Sequence, residues 1–398
     1  MKLLYALPLL ATFAMLYSKV SPPAAPAPAV NVMAYYVPAE DYLPDDLPLN
    51  QLTHIIFSFT NVIDGKMQFR TDSVTGPILR RLVARRDAEF PDLKVMVACG
   101  GWTADGFSDM ALNDSTRTRF AESAAAFVER YDLDGMDMDW EYPGIGEAGI
   151  VFRPEDTRNF TLTLKALREH LDALGRPQTL TFASAGWEQY YDFIELDEVM
   201  RYADFMNVMT YDLITYVSPY TGHHTNQGEI APADLEGTPY GDWQLKQPMV
   251  IDGKEFTWHP RSVEYIVDYC INRGVDPGQI VTGAAFYGRS WKGVGPRNHG
   301  LYQPVGGSHI GWCAYREIRD QYENKNGFVR YWDSTAQAPF LYSAADSIFF
   351  TYDDTTSVRL KAEYAMEKQL GGVMFWELGN DTKEEESLLH AIYRAVTR

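Results

Sequence analysis

Three carboxylates alternate with other residues in one short segment of the chain. Asp137, Asp139 and Glu141 are separated by single residues within the run 134–143. Side chains two residues apart on a β-strand share a face and are spaced by about 6–7 Å along the backbone. Repulsion and burial should raise the pKa of at least one of them, leaving a protonated acid beside an ionised partner. Glu141 is last in the row, so we predict that it acts as a general acid.

A solvated acidic loop and a divalent-metal site are the alternatives for this run. A solvated loop would not alternate with Met136, Met138 and Trp140. A metal site would need further ligands from neighbouring loops, which the sequence does not single out. The adjacent residues His223 and His224 have no second pair at ligand spacing, and we expect them in a loop. We therefore predict a site without metal or cofactor.

The elements that position these carboxylates follow from eight short apolar runs, most of them rich in β-branched or aromatic residues. Segments with helical spacing lie between them, including 119–130, 154–173, 261–273 and 357–369. This alternation predicts a (β/α)8 TIM barrel, in which chemistry is carried at the C-terminal ends of the strands. The predicted strands are Val32–Val37, His54–Thr60, Lys94–Cys99, Gly135–Trp140, Thr179–Ala185, Phe205–Tyr211, Val281–Tyr287 and Gly372–Leu378.

One interval departs from the alternation. Residues 290–350 are rich in Gly, Tyr and Trp and contain strand-like stretches at 327–332 and 340–343. We predict a small α+β insertion domain after strand seven, placed over the mouth of the barrel as one wall of a cleft.

Composition narrows the class of partner. The chain has 398 residues, with 35 basic against 54 acidic side chains, a net charge of −19 and three cysteines. A nucleic-acid binder needs a basic surface, so nucleic acid and anionic membranes are disfavoured. Three cysteines cannot form a disulfide framework, although Cys270 and Cys313 could pair in an oxidising compartment. We expect a neutral or cationic partner.

The first thirty residues have the pattern of a targeting segment. Residues 1–20 combine an early lysine with a short apolar stretch, which predicts a signal peptide and secretion. Residues 21–30 are a Pro/Ala tether without a fold of its own. An uncleaved membrane anchor is the alternative, and we expect no stable membrane association beyond this segment.

The segment Asp134–Glu141 (DGMDMDWE) resembles the signature of glycoside hydrolase family 18, the chitinase family. Six more segments resemble the first, second, third, sixth, seventh and eighth strands of that family, in the right order from about residue 31 to the end. They are Ala34–Tyr36, Leu52–Phe59, Cys99–Trp102, Met209–Asp212, Phe286–Arg289 and Gly371–Glu377. The catalytic barrel is accordingly assigned to residues 31–398.

The resemblance implies roles for individual residues. Family members use substrate assistance, in which the N-acetyl carbonyl of the sugar forms an oxazolinium ion with retention of configuration. Glu141 would be the acid and later the base, and Asp139 would hold the acetamido N–H and stabilise the cation. Asp137 would share a proton with Asp139, and Tyr211 would bind the acetamido oxygen. These four are the predicted catalytic residues.

The resemblance also implies a substrate-binding set. Asp212 would contact the sugar and pair with Arg289, and Trp376 would form the floor beneath the distorted sugar. The full set is Tyr35, Phe59, Trp102, Tyr142, Met209, Asp212, Tyr287, Arg289 and Trp376. Aromatic rings stack on sugar faces. The candidate platforms, of which we expect about half in the core, are Trp102, Trp187, Tyr142, Tyr216, Tyr287, Trp291 and Trp312.

Two positions need separate interpretation. The family's third-strand motif has a serine that helps to bind the inner aspartate, where this chain has Ala98. We expect Asp137 to be easier to protonate or differently partnered, with a modest change in rate or pH optimum. The run Gly144–Gly149 matches a nucleotide fingerprint, but it opens no helix and carries an acid, so we predict a plain loop.

The sequence thus predicts a secreted, monomeric chitinase acting on chitin or chito-oligosaccharides, with a retaining, substrate-assisted mechanism. A non-catalytic chitin-binding lectin of the same fold is one alternative, and the presence of Glu141 argues against it. An endo-β-N-acetylglucosaminidase acting on N-glycans is the other.

Overall fold

The structure is a computed structural model that describes residues 28–40, 42–244, 249–251, 253–256 and 259–398. The predicted signal peptide and most of the predicted tether lie outside these ranges. Within them, no helix combines the length and apolar character needed to cross a bilayer.

Eight parallel strands form a closed barrel, which confirms the predicted TIM fold. Around the barrel the order is β1-β8-β7-β6-β5-β4-β3-β2, and β1 pairs with β2 to close it. The strands are β1 Asn31–Tyr36, β2 His54–Ile63, β3 Lys94–Gly100, β4 Gly135–Asp139, β5 Thr179–Ala185, β6 Phe205–Met209, β7 Ile280–Ala285 and β8 Gly372–Trp376. A short strand, Lys66–Gln68, pairs antiparallel with the end of β2.

The alternation of side chains along β4 separates two environments. Met136 and Met138 belong to the outer core between the strands and the helices. Asp137 and Asp139 occupy the alternate positions and are 0% and 5% exposed. The barrel interior has its own apolar cluster, which includes Met33, Met96, Ala98, Val281 and Met374. The two carboxylates therefore point into the barrel interior, on the same side as this apolar cluster.

Helices cover the outside of the barrel. Four of them begin at a side-chain cap, as where Asp354 accepts hydrogen bonds from the backbone N–H groups of Thr356 and Ser357. The helices are Asp72–Glu89, Phe107–Met110, Asp114–Tyr131, Asp156–Asp172, Leu196–Val199, Pro239–Gln244, Val263–Asn272, Tyr315–Glu317, Thr355–Glu367 and Leu388–Val396.

A second, six-stranded sheet follows β7 directly. Its strands are Tyr287–Lys292, Gly307–Ser308, Cys313–Ala314, Val329–Asp333, Ala338–Ser343 and Ile348–Thr351. Trp291 is completely buried in the apolar cluster of this sheet together with Phe340 and Phe349. The prediction of Trp291 as a sugar platform was therefore wrong, because its ring packs inside this apolar cluster and does not reach solvent.

The three cysteines lie apart in the structure. Cys99, Cys270 and Cys313 are all buried free thiols. The disulfide considered between Cys270 and Cys313 is not formed.

Candidate active site

A cavity of about 720 Å³ opens at the C-terminal ends of the barrel strands. It brings together twelve of the thirteen residues predicted for catalysis and substrate binding, the exception being Asp137, which lies beneath. The lining residues are Tyr35, Phe59, Trp102, Asp139, Glu141, Tyr142, Glu147, Ala183, Gly186, Trp187, Met209, Tyr211, Asp212, Thr215, Tyr216, Arg261, Tyr287, Arg289, Trp312 and Trp376.

Asp137 is held inside the barrel by neutral donors. The hydroxyl of Thr181 donates to its Oδ1 atom at 2.6 Å, and the amide nitrogen of Asn207 donates to the same atom at 3.1 Å. The hydroxyl of Tyr35 donates to Oδ2 at 2.9 Å. Burial raises the pKa of Asp137 to about 6, although the three hydrogen bonds oppose this rise. Asp137 can therefore change charge near neutral pH.

Asp139 is the least satisfied of the three carboxyls. Burial, together with the charges of Glu141 and Asp137, raises its pKa well above the ordinary value. Its Oδ1 atom has no hydrogen-bond partner among the described residues. A buried carboxyl without a partner is costly as an anion, so burial favours the protonated form of Asp139, and its Oδ1 atom is open to a further partner.

Glu141 follows the last residue of β4 and faces the cavity. Burial raises its pKa to about 7, and the charge of Asp212 adds to this rise, while a hydrogen bond from Tyr142 opposes it. A carboxyl with a pKa near the working pH can both give and take a proton.

Asp212 is the one cavity carboxylate with a strong cationic partner. Arg289 donates to it in a fork, from Nε to Oδ1 and from Nη2 to Oδ2, both at 2.7 Å. His224 lies behind, with Nδ1 at 3.7 Å from Oδ1. Although burial acts to raise it, the interactions with His224 and Arg289 hold the pKa of Asp212 well below the usual range. Asp212 is a fixed anion, in contrast to Glu141.

Aromatic rings form the floor and walls of the cavity. Trp376 stacks on Phe59 with ring centroids 5.5 Å apart and contacts Tyr35 at 5.7 Å. Trp312 stacks on Tyr287 at 6.0 Å. Five further aromatic residues line the space, namely Trp102, Tyr142, Trp187, Tyr211 and Tyr216. Flat apolar faces of this kind suit sugar rings.

The end of β3 must pass close to the end of β4. Gly100 has φ +128°, and a Cβ atom there would collide with the carbonyl oxygen of Asp139. The next residue, Gly101, donates its N–H to that same carbonyl at 2.9 Å. The two glycines therefore let the neighbouring strand support the backbone that carries Asp139 and Glu141.

The site includes residues that the sequence analysis missed. Thr181 and Asn207 bind Asp137, and His224 lies against Asp212. Glu147, in the glycine-rich loop after β4, and Arg261 line the cavity wall. Thr181 could be recognised only from the strand register, in which it pairs directly with Asp137.

In the part of the chain that the structure describes, no group of three or more His, Cys, Asp or Glu side chains is arranged to hold a metal ion. His223 lies in a loop, and its Nε2 atom is 3.1 Å from Asp333.

Comparisons with known proteins agree with this geometry. The sequence model of glycosyl hydrolases family 18 matches residues 31–381. Chitinase A1 of Niallia circulans is 38% identical over 303 residues, which are 73% of this chain and 41% of that protein. Chitinase B of Serratia marcescens is 30% identical over 383 residues, which are 85% of this chain and 75% of that protein.

Solved structures give the same assignment. A glycoside hydrolase family 18 N-acetylglucosaminidase from Paenibacillus barengoltzii is 38% identical, with a TM-score of 0.78, and the match covers 92% of this chain and 99% of that one. A group IV chitinase of Ostrinia furnacalis, in complex with allosamidin, is 25% identical with a TM-score of 0.79, covering 92% and 98%. The chain belongs to glycosyl hydrolases family 18.

Proposed function

We propose that the protein is a chitinase that hydrolyses β-1,4 bonds between N-acetylglucosamine units. The observation that carries the proposal is the pair Asp139 and Glu141, one partly unsatisfied and one with a pKa of about 7, in an aromatic-lined cavity. The cavity is of the size that binds a small ligand or part of a chain. The names of the relatives support the same substrate class.

The first step needs a proton donor and an internal nucleophile. Protonated Glu141 gives its proton to the oxygen of the leaving sugar, while the acetamido oxygen of the substrate attacks the anomeric carbon. The acetamido nitrogen becomes partly positive, and its N–H donates to the free oxygen of Asp139. Tyr211 binds the acetamido oxygen from the other wall. The product of this step is a bound oxazolinium ion and an ionised Glu141.

The second step reverses the role of Glu141. Its carboxylate takes a proton from water, which adds to the anomeric carbon and opens the oxazolinium ring. The new hydroxyl enters from the face that the leaving group left, so configuration is retained. The fixed charge of Asp212 stays paired with Arg289 throughout, and Trp376 supports the sugar from below.

An exo-acting N-acetylglucosaminidase is the second candidate. It is favoured by the similarity to the Paenibacillus enzyme, of which this chain covers 99%. The two functions differ in product: a chitinase releases mainly disaccharides or longer pieces from chito-oligosaccharides, whereas the exo-enzyme releases monosaccharides.

The experiment is turnover of a chromogenic di-N-acetylchitobioside, followed by product analysis on chito-oligosaccharides of four to six units. We expect turnover, early β-anomers by NMR, and disaccharide as the main product. Binding of the oligosaccharides without turnover would contradict the enzyme and favour a lectin. Monosaccharide as the main early product would favour the second candidate. Release of glycans from a glycoprotein without activity on chito-oligosaccharides would favour the endo-β-N-acetylglucosaminidase.

A further inference from the structure

The inner aspartate is surrounded by three donors from three different strands. Tyr35 comes from β1, Thr181 from β5 and Asn207 from β6, and we call these three residues the Asp137 clamp. Their hydrogen bonds to Asp137 are 2.6–3.1 Å long, and every member is buried. Asn207 also donates to the hydroxyl of Tyr35 at 3.2 Å, so the clamp is a connected network.

Strand register explains why the clamp is one-sided. On β5, Thr181 pairs directly with Asp137, but on β3 the paired residue is Ala98, which has no side-chain donor. Among the described residues, the donors to Oδ1 of Asp137 therefore come from β5 and β6. Tyr35 of β1 donates to Oδ2 from across the barrel. Ala98 of β3 contributes only apolar packing at its position beside Asp137.

The side-chain amide of Asn207 acts as a hydrogen-bond donor only. Its Nδ2 atom faces Asp137, whereas its own Oδ1 atom is buried without a partner among the described residues. The nitrogen must face the carboxylate, because an oxygen there would repel it. An unsatisfied buried acceptor costs stability, so the arrangement is explained by what the amide does for Asp137.

The titratable groups that face Asp137 determine where its proton can be held. Its titratable neighbours are Tyr35, Cys99, Tyr211 and Asp139, and none of them is a cation. Burial raises the pKa of Cys99 to about 12 and the pKa of each tyrosine well above its ordinary value. The tyrosines and Cys99 stay neutral at working pH, so among these neighbours only Asp139 competes with Asp137 for a proton.

We propose that Thr181 and Asn207 are positioning residues that stabilise Asp137 as the anion and thereby keep the shared proton on Asp139, next to Glu141. The proposal rests on the proposed function, because that is where the state of Asp139 matters. Neutral donors suit this role: they favour the anion without cancelling its charge, and that charge remains available to an oxazolinium cation above it. A lysine or arginine at the same place would cancel it.

The first test is the pH profile of kcat/KM for Thr181→Val, which removes the hydroxyl at constant volume. The acid limb of this profile reports ionisation of the pair Asp137 and Asp139. When both are protonated, no anion remains to stabilise the oxazolinium cation, and the rate falls. Loss of one donor should move this limb upward by about one pH unit and leave the alkaline limb in place. Thr181→Ser keeps the hydroxyl and should restore the wild-type limb.

A matched control is Thr282→Val. Thr282 is also completely buried in a barrel strand, but its hydroxyl has no partner among the described residues. Its replacement should leave both limbs unchanged. A uniform drop in rate at all pH values for Thr181→Val, with neither limb moved, would mean a merely structural role and would overturn the proposal.

The second test needs no activity, and so separates failure of the clamp from failure of the proposed function. Thr181→Val weakens the anionic form of Asp137 more than the protonated form. Its Tm deficit relative to wild type should therefore grow by about 2 °C between pH 4.5 and pH 8. Asn207→Leu should shift Tm in the same direction by less, and it decides the matter if Thr181→Val does not fold. A deficit independent of pH refutes the clamp, whereas a wild type without turnover refutes only the function.

Discussion

Asp353 and Asp137 are both completely buried, but their carboxylates face opposite kinds of partner. Asp353 binds Lys361, with Nζ 2.5 Å from Oδ2, and both side chains are inaccessible to solvent. It also accepts hydrogen bonds from Thr225, Ser357 and the backbone N–H of Ala285. Asp137 and the two acids beyond it form no ion pair with a cation within the described part of the chain.

The difference separates structure from chemistry. The charge of Asp353 is balanced by Lys361, which ties the helix Thr355–Glu367 to the end of β7 through Ala285. The charges of Asp137, Asp139 and Glu141 are unbalanced, and burial raises the pKa of each. The pair of Asp353 and Lys361 therefore serves the fold, whereas buried acids without a cation, such as Asp137 and Glu141, can take up or release a proton near neutral pH.

The largest expected effect comes from Glu141→Gln. Because the amide cannot donate or accept the catalytic proton, kcat should fall by about 10²–10⁴-fold. Binding of a chito-oligosaccharide, measured by calorimetry, should persist. Glu147→Gln is the matched control, since it removes an exposed carboxylate from the wall of the same cavity and should change kcat only a few-fold. Near-normal turnover in Glu141→Gln would mean that the acid lies elsewhere.

The balanced pair should respond in the opposite way to loss of one partner. Lys361→Met keeps the length of the side chain but leaves Asp353 as an uncompensated buried charge. The free energy of unfolding at pH 7 should fall by about 3–5 kcal/mol, measured by chemical denaturation. Adding Asp353→Asn removes the orphaned charge and should recover part of the loss. A loss below about 1 kcal/mol in the single variant would contradict the role given to this pair.

The barrel was predictable because each strand has an apolar run with a clear beginning. The ends were less predictable: five predicted strands continue one or two residues too far, to Val37, Trp140, Tyr211, Tyr287 and Leu378. In the structure these strands stop at Tyr36, Asp139, Met209, Ala285 and Trp376. Beyond them the chain turns, and two of the residues involved, Tyr211 and Tyr287, line the cavity. An aromatic residue favours a strand prediction both when its side chain packs in the core and when it lines a binding cavity, so the sequence pattern alone does not mark the end of the strand.

The acids of the site were predictable from spacing alone, but their partners were not. Asp137, Asp139 and Glu141 lie within five residues of each other, so one strand and the two residues after it place all three. Thr181 and Asn207 are 44 and 70 positions from Asp137. A single threonine or asparagine in an apolar strand has no chemical meaning until the register of neighbouring strands is known. The prediction of Trp291 as a sugar platform was wrong for the same reason, because the residue type does not show on which side of its strand the ring lies.

A smaller effect is expected on the pH dependence of stability. The pKa of Glu141 is about 7 in the folded protein against 4.5 ordinarily, so between these values the folded state binds more protons than the unfolded state. Stability contributed by the protonated carboxyl is present below about pH 4.5 and is lost as pH rises toward 7. Glu141→Gln removes this loss and should be more stable than wild type by about 1–3 kcal/mol at pH 8, with little difference at pH 4. Equal stabilities at both pH values would contradict the raised pKa.

The smallest effect is expected for Lys368→Met, which tests whether burial is what distinguishes the Asp353–Lys361 pair. Lys368 directly follows the helix that carries Lys361, and it pairs with Asp268 at 3.0 Å, but the two side chains are 38% and 49% exposed. Water solvates both charges when the pair is broken, so the free energy of unfolding should change by no more than about 0.5 kcal/mol. Added salt should reduce even that difference, because exposed charges are screened. If Lys368→Met lowered the free energy of unfolding as much as Lys361→Met, a general effect at this end of the helix, and not the buried charge, would account for both losses. The contrast between balanced and unbalanced acids would then rest on the active site alone.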